Sequence, residues 1–257
     1  MPPPVLFVHG MWSRPSTFET LRTELAAVGV ESRAPALPFH ELPPGAEAPE
    51  GLADIRLQDY VAALLPEAKV LGRHVICGHS MGGLLAQLVA SRVRPAGLIL
   101  LSSAPSSAAQ AFALSPYRTL AGVTLGWGWW ERPTLIDRAG ARWGIFNTVP
   151  EEEQEGPLQE LTWDSGRVLA QIAFPKFDSS NGAAVDYARL QGLPCLLICG
   201  SEDRITPHRV TARTGFALGA AGAQVEMEML PGVGHWLFHD AVRPRVAQAI
   251  ARFLSGL

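Results

Sequence analysis

The chain has 257 residues, an apolar fraction of 47 % and a net charge of −3, which suits one α/β domain of the larger kind, with or without an insertion, and offers no charge block to attract nucleic acid or anionic lipid. The opening "MPPPVLFVHG" lacks a basic stretch followed by an apolar one, and no apolar run approaches a membrane-spanning length. The three cysteines, Cys77, Cys195 and Cys199, fall in apolar runs without C-x-x-C or metal spacing, so a reducing, cytoplasmic setting is expected, with no metal and no cofactor.

Taken in order, apolar runs alternate with helix-length segments. "VLFV" (5–8) reads as a buried strand followed by a helix near 15–28. "VESRA" (30–34) is a weaker strand, and the Pro-rich loop "PALPFHELPPGAEAPEG" leads from it to a helix near 52–66. "HVIC" (74–77) precedes a helix near 81–92, and "GLILL" (97–101) follows. The alternation then stops: between Ser102 and Arg189 no clear strand is expected. It resumes with "PCLLIC" (194–199), a helix from Pro207, "QVEMEML" (224–230) and a last helix near 240–254. Cys195 and Cys199 lie four apart on one extended strand, too far from each other to pair.

Near-continuous apolar runs fit strands buried between two helix layers. The pattern predicts a doubly wound, mostly parallel sheet of about six strands. Residues 1–101 and 190–257 form this core, and 102–189 form an inserted helical lid. The insertion carries five of the seven tryptophans, Trp127, Trp129, Trp130, Trp143 and Trp163, and "EEEQE" (151–155), read as a solvated helix start. The tryptophans fit either a small core of the insertion or the apolar underside of a lid.

Ser80 sits in "CGHSMGG", between a strand and a helix, with glycines at −2 and +2. With 25 glycines in the chain, a G-x-S-x-G match arises by chance in roughly one such chain in ten. The specific reading is a nucleophile elbow, where side chains flanking the serine would collide as strand and helix cross. Such a serine needs a base, and the base needs a carboxylate. "GSEDRITP" places Asp203 in the loop after "CLLIC", with Glu202 beside it as the alternative acid. "PGVGHWLF" places His235 in the loop after "EMEML". Its rivals are His239 and His79. His79, next to the nucleophile, is expected to point away from Ser80, whereas His9, His40, His74 and His208 are read as structural or exposed. Loops at the carboxyl ends of parallel strands meet in one crevice. An oxyanion there needs N–H donors. The backbone of Met81, at a helix N-terminus, and that of Met11, after Gly10, are the candidates. Met11, Met81 and Trp12 are the candidate substrate-contacting residues.

The segments "VLFVHGMW", "GHSMGG", "GSEDRITP" and "PGVGHW" together resemble the α/β-hydrolase fold superfamily, and they span nearly the whole chain. With an inserted lid, the elbow is similar to those of small serine esterases, monoacylglycerol lipases and carbon–carbon bond hydrolases. The resemblance implies cofactor-independent cleavage of a small apolar carboxylic ester through an acyl-enzyme on Ser80. It leaves open carbon–carbon bond hydrolysis, a lyase reaction, or a hydrolase-like ligand receptor with little turnover. The first apolar run starts near Met1, so the antiparallel hairpin that leads many relatives is not expected. The loop "PALPFHELPPG" lacks their Gly-His-Gly turn. Serine at the elbow argues against epoxide hydrolases and haloalkane dehalogenases, which place aspartate there.

Overall fold

The four apolar residues of Val5–Val8 alternate between two hydrophobic layers, and this sets the architecture. Val5 and Phe7 pack on one face with Phe18, Leu21, Leu25 and Ile250; Leu6 and Val8 pack on the other with Leu57, Leu64, Leu85 and Val89. A strand buried on both faces belongs inside a sheet covered twice. The computed structural model describes residues 2–257. Among these, eight strands form: β1 (Val5–Val8), β2 (Ser32–Arg33), β3 (Val75–His79), β4 (Gly97–Leu101), β5 (Pro133–Thr134), β6 (Asp164–Ser165), β7 (Pro194–Gly200) and β8 (Gln224–Leu230). Six of them make one wholly parallel sheet in the order β2-β1-β3-β4-β7-β8.

The helices are α1 (Glu19–Ala27), α2 (Leu57–Val70), α3 (Met81–Val93), α4 (Ser115–Thr119), α5 (Ala121–Thr124), α6 (Arg138–Gly144), α7 (Glu151–Gln159), α8 (Gly166–Ala173), α9 (His208–Ala220) and α10 (Arg243–Ser255). α1 and α10 cover one face of the sheet; α2, α3 and α9 cover the other. Chain direction along the sheet reverses between β1 and β3, so their carboxyl ends open a crevice at the switch point.

The sheet matches the sequence reading, with corrections at its margins. β2 pairs over two residues instead of five because it is an edge strand: Val30 N–H caps α1 on the Leu25 carbonyl, and Pro35 has no N–H to give. α2 starts at Leu57, later than expected, and continues through Pro66 to Val70; the Asp59 carboxylate accepts the Arg56 N–H at its start. α10 starts at Arg243 instead of near 240. Two strands occur where none was expected, since β5 and β6 pair antiparallel inside the insertion. β8 is an edge strand with Glu226 and Glu228 facing Arg245 and Arg252 of α10; charge of this kind keeps an edge from pairing with another chain.

Between β4 and β7, Trp129, Ile136, Phe146, Leu158 and Leu169 form a third hydrophobic cluster, which Trp12 from the β1–α1 loop joins. "EEEQE" begins α7 with Glu151 and Glu152 exposed. Cys77, Cys195 and Cys199 are unpaired and buried.

β3 meets α3 at van der Waals limits. A Cβ on Gly78 would stand 2.1 Å from the Gly82 carbonyl oxygen, and one on Gly82 would stand 2.0 Å from the Val8 carbonyl oxygen. Neither neighbour is a flexible side-chain end, so backbone would have to move. Gly82→Ala is expected to cost about 2–3 kcal/mol, as overpacking does. Gly219→Ala, in α9 with nothing near its Cβ position, should gain about 0.5–1 kcal/mol from helix propensity. Urea denaturation midpoints of the two variants check both signs.

Candidate active site

Ser80 caps β3 with φ 54° and ψ −124°. Such a backbone costs a non-glycine residue about 1–3 kcal/mol and persists only where its surroundings over-determine it. Here they do: its N–H donates to the Leu101 carbonyl at 3.0 Å, and its carbonyl accepts the N–H groups of Gly83 at 2.9 Å and Ala104 at 2.8 Å.

Asp203 and His235, after β7 and β8, come together from 32 residues apart: His235 Nδ1 lies 2.8 Å from Asp203 Oδ2. A carboxylate only accepts, so the Nδ1–H donates, and Nε2 has no protein partner among the described residues. The other carboxylate oxygen accepts the N–H groups of Ile205 at 3.0 Å and Thr206 at 2.8 Å. The Thr206 hydroxyl lies 2.8 Å from Asp203 Oδ2, 2.9 Å from the Ser102 carbonyl and 3.1 Å from His235 Nδ1. Asp203 is therefore held on three sides, while Glu202 is exposed. Sequence reasoning missed Thr206, three residues beyond the acid.

Ser80 and His235 border one cavity of about 360 Å³, together with Met11, Trp12 and Met81. No hydrogen bond reaches the Ser80 hydroxyl among the described residues; in ligand-free sites such bonds commonly tighten only around substrate. The N–H groups of Met11 and Met81 are likewise unused by protein acceptors among the described residues. His239 is buried outside this cavity. His79 turns its ring toward the histidine loop: Nε2–H donates to the His235 carbonyl at 3.2 Å, and the two ring centroids are 4.7 Å apart. Burial, with the neighbouring His235, pushes its pKa well below the ordinary value and keeps it neutral.

The five tryptophans of the insertion divide. Trp129 is buried and lines the cavity beside Phe146, Leu169, Ile172 and Tyr117. Trp130 stacks edge-on against it, with centroids 5.8 Å apart, away from the cavity. The guanidinium groups of Arg118 and Arg204 both lie over the Trp143 ring, 4.2 and 4.7 Å from its centroid. Trp163 Nε1–H donates to the Ala46 carbonyl at 2.9 Å and pins the Pro-rich loop. Trp127 is exposed.

A second polar cluster lies behind the β1–α1 loop, and no motif foreshadows it. Asp164 of β6 is fully buried. Its Oδ1 accepts the Tyr60 hydroxyl and the Ser165 N–H, both at 2.7 Å; its Oδ2 accepts His40 Nε2–H at 3.1 Å and the Trp12 N–H at 3.2 Å. His40 Nδ1 faces the Pro38 carbonyl at 3.0 Å, so both ring nitrogens face acceptors, an arrangement that favours the charged ring. Burial opposes the charge, but Asp164 outweighs it and raises the His40 pKa. His9, whose ring centroid is 4.9 Å from that of His40, takes the opposite state: burial and the His40 charge lower its pKa to about 3, and Nε2 accepts the Leu37 N–H. His74 is buried as well, and His208 is exposed.

A histidine whose folded pKa is raised stabilises the fold below its unfolded value and loses that contribution as pH rises through the folded one. The Tm deficit of His40→Gln relative to the unmutated chain should therefore be largest near pH 6 and shrink toward pH 9. His79, whose shift does not depend on His40, is common to both proteins and drops out of the difference. A deficit that stays constant in thermal melts across this range would mean that the His40–Asp164 pair is not ionised.

Residues 5–249 match the model of the Alpha/beta hydrolase family. No curated protein matches the sequence. Solved structures with the same fold include a pyrethroid hydrolase from Sphingobium faniae JZ-2, 19 % identical, covering 98 % of this chain and 97 % of that one with a TM-score of 0.70. A monoacylglycerol lipase from Paleococcus ferrophilus is 20 % identical, over 98 % of this chain and 93 % of that one, with a TM-score of 0.63. A methylesterase from Arabidopsis is 16 % identical, over 98 % of this chain and 99 % of that one, with a TM-score of 0.70. No helix among the described residues is long and apolar enough to cross a membrane.

Proposed function

The chain belongs to the alpha/beta hydrolase family, and from that premise we propose that it is a serine hydrolase cleaving carboxylic esters of small to medium apolar acyl groups. One observation carries the reading: His235, bonded to Asp203 at 2.8 Å, lines the same apolar cavity as a serine held at φ 54°. The solved structures of like fold named for pyrethroids, monoacylglycerols and methyl esters agree with an ester substrate.

In this mechanism His235 Nε2 takes the Ser80 proton as Oγ attacks the acyl carbon. Asp203 keeps the proton on Nδ1 and stabilises the imidazolium, and Thr206 keeps Asp203 from turning. The N–H groups of Met81 and Met11 receive the oxyanion; the first also lies at the N-terminus of α3, where the helix dipole favours negative charge. The imidazolium protonates the departing alcohol. Water, activated by the same nitrogen, then releases the acid and restores Ser80. Residues 102–189 act as a lid over the acyl group, and the three unpaired cysteines fit a reducing compartment.

A fluorophosphonate probe should label Ser80 alone, as peptide mass spectrometry will report, and Ser80→Ala should abolish both labelling and turnover of esters. Asp203→Asn should lower kcat by about 10⁴, the usual loss when the orienting carboxylate goes, whereas exposed Glu202→Gln should cost less than about tenfold. A reversed order of the two losses, or labelling at Ser102 or Ser103, rules out the assignment.

Burying a methylene is worth about 0.8 kcal/mol. Among p-nitrophenyl esters, each carbon beyond acetate should therefore raise kcat/KM by up to roughly fourfold until the cavity is full. Trp129→Ala should move the optimum to longer chains, since Trp129 lines the cavity, and Trp130→Ala should lower Tm and leave the profile in place. Rates that fall steadily from acetate onward would show that the cavity does not hold the acyl chain.

A further inference from the structure

Trp12 directly follows Met11, and its backbone is left-handed, with φ 57°. A bulky residue does not hold that conformation unaided. Each of its three polar groups is bonded to the inserted segment. The N–H donates to Asp164 Oδ2 at 3.2 Å, the carbonyl accepts the Thr162 N–H at 2.9 Å, and indole Nε1–H donates to the Thr134 hydroxyl at 3.3 Å. The indole itself belongs to the insertion's hydrophobic cluster, not to either layer of the sheet. On the other side the loop rests on the nucleophile: a Cβ on Gly10 would stand 3.0 Å from Ser80 Cβ. The loop thus has the elbow before it and the insertion behind it.

We infer that Asp164 is a positioning residue, through which the inserted segment holds Trp12 and so fixes the backbone that presents the Met11 N–H to the oxyanion. The inference rests on the serine-hydrolase reading above for its catalytic consequence, but not for the clamp itself. Asp164 suits the task because it is immobile. Its two oxygens accept four hydrogen bonds, from Trp12, His40, Tyr60 and Ser165, and the carboxylate is fully buried. Asparagine has the same shape but one acceptor oxygen. It turns an NH2 toward Trp12 and His40 or toward Tyr60 and Ser165, and with the charge gone the bonds that survive are no longer charge-assisted, so the hold on Trp12 is lost in one orientation and weakened in the other. Oxyanion donors act by being preorganised at the place where charge develops. A loosened donor lowers transition-state binding and leaves substrate binding nearly as it was.

The test compares wild-type protein with Asp164→Asn, Tyr60→Phe and Thr134→Val. For each, kcat and KM on a p-nitrophenyl ester are set beside Ki for an aryl trifluoromethyl ketone, whose serine adduct carries the oxyanion. Asp164→Asn should lower kcat by about ten- to hundredfold, less than outright removal of a donor. KM should change little, and Ki for the ketone should rise by the factor that kcat/KM loses. The other two variants should show smaller losses on the same line. A folded Asp164→Asn with unchanged kcat, or one that loses kcat while Ki stays put, overturns the inference. If Asp164→Asn does not fold, Tyr60→Phe and Thr134→Val decide by the same criterion. Hydrogen exchange supplies a readout independent of turnover: the peptide spanning residues 9–14 should exchange faster in the variants while β3 keeps its protection, and unchanged exchange there overturns the clamp. If the wild-type chain turns over no ester, the hydrolase reading fails, and the exchange measurement alone still decides whether Asp164 holds Trp12.

Discussion

The backbone of α3 lies against the backbone of β1, with room for nothing larger than a hydrogen at Gly82 beside the Val8 carbonyl. Most of the candidate site follows from this contact. It brings the first turn of α3 beneath the loop leaving β1, so the N–H groups of Met81 and Met11 come from two elements that touch. It also forces the chain between β3 and α3 into one residue at an unfavourable angle, and that residue is Ser80. The sheet supplies the remaining geometry. Parallel strands end at a common edge, and that edge brings the loops after β7 and β8 to the same opening.

Two buried histidine–aspartate pairs flank the β1–α1 loop, and their chemistry differs because of their second nitrogens. His235 gives Nδ1–H to Asp203 and keeps Nε2 free at the cavity. His40 gives one proton to Asp164 and the other to the Pro38 carbonyl, so neither nitrogen is available. The same two residue types thus make one pair with an open nitrogen and one in which both nitrogens are occupied. Burial alone does not separate them, because both pairs are almost wholly removed from solvent. The separation comes from what stands opposite the second nitrogen.

The sheet was legible because its signals are local. Four- to seven-residue apolar runs, the glycines around Ser80 and the turn residues after each strand all act within a few positions. The placement of Ser80, Asp203 and His235 around one opening followed from strand direction alone. The margins were less legible. β2 is short because it has one neighbour, a fact about the sheet and not about "VESRA". β5 and β6 have two residues each and exist only as partners of one another. Asp164 lies 124 residues from His40 and 104 from Tyr60, so no spacing rule relates them. The tryptophans of the insertion are one residue type in one segment, and they occupy five different environments, from the cavity wall to open solvent.

The attachment of Trp12 bears on how this protein could be taken apart or recombined. Residues 102–189 enter and leave between β4 and β7, which invites treating them as a cassette to be exchanged among proteins of this fold. The tie through Asp164, Thr162 and Thr134 makes that boundary false. A chimera that received the segment without Trp12, His40 and Tyr60 would bury a carboxylate among strangers, and one that lost it would free the loop beside Ser80. The unit of inheritance in a recombination library is therefore discontinuous: the inserted residues together with three positions scattered through the first 60 of the chain.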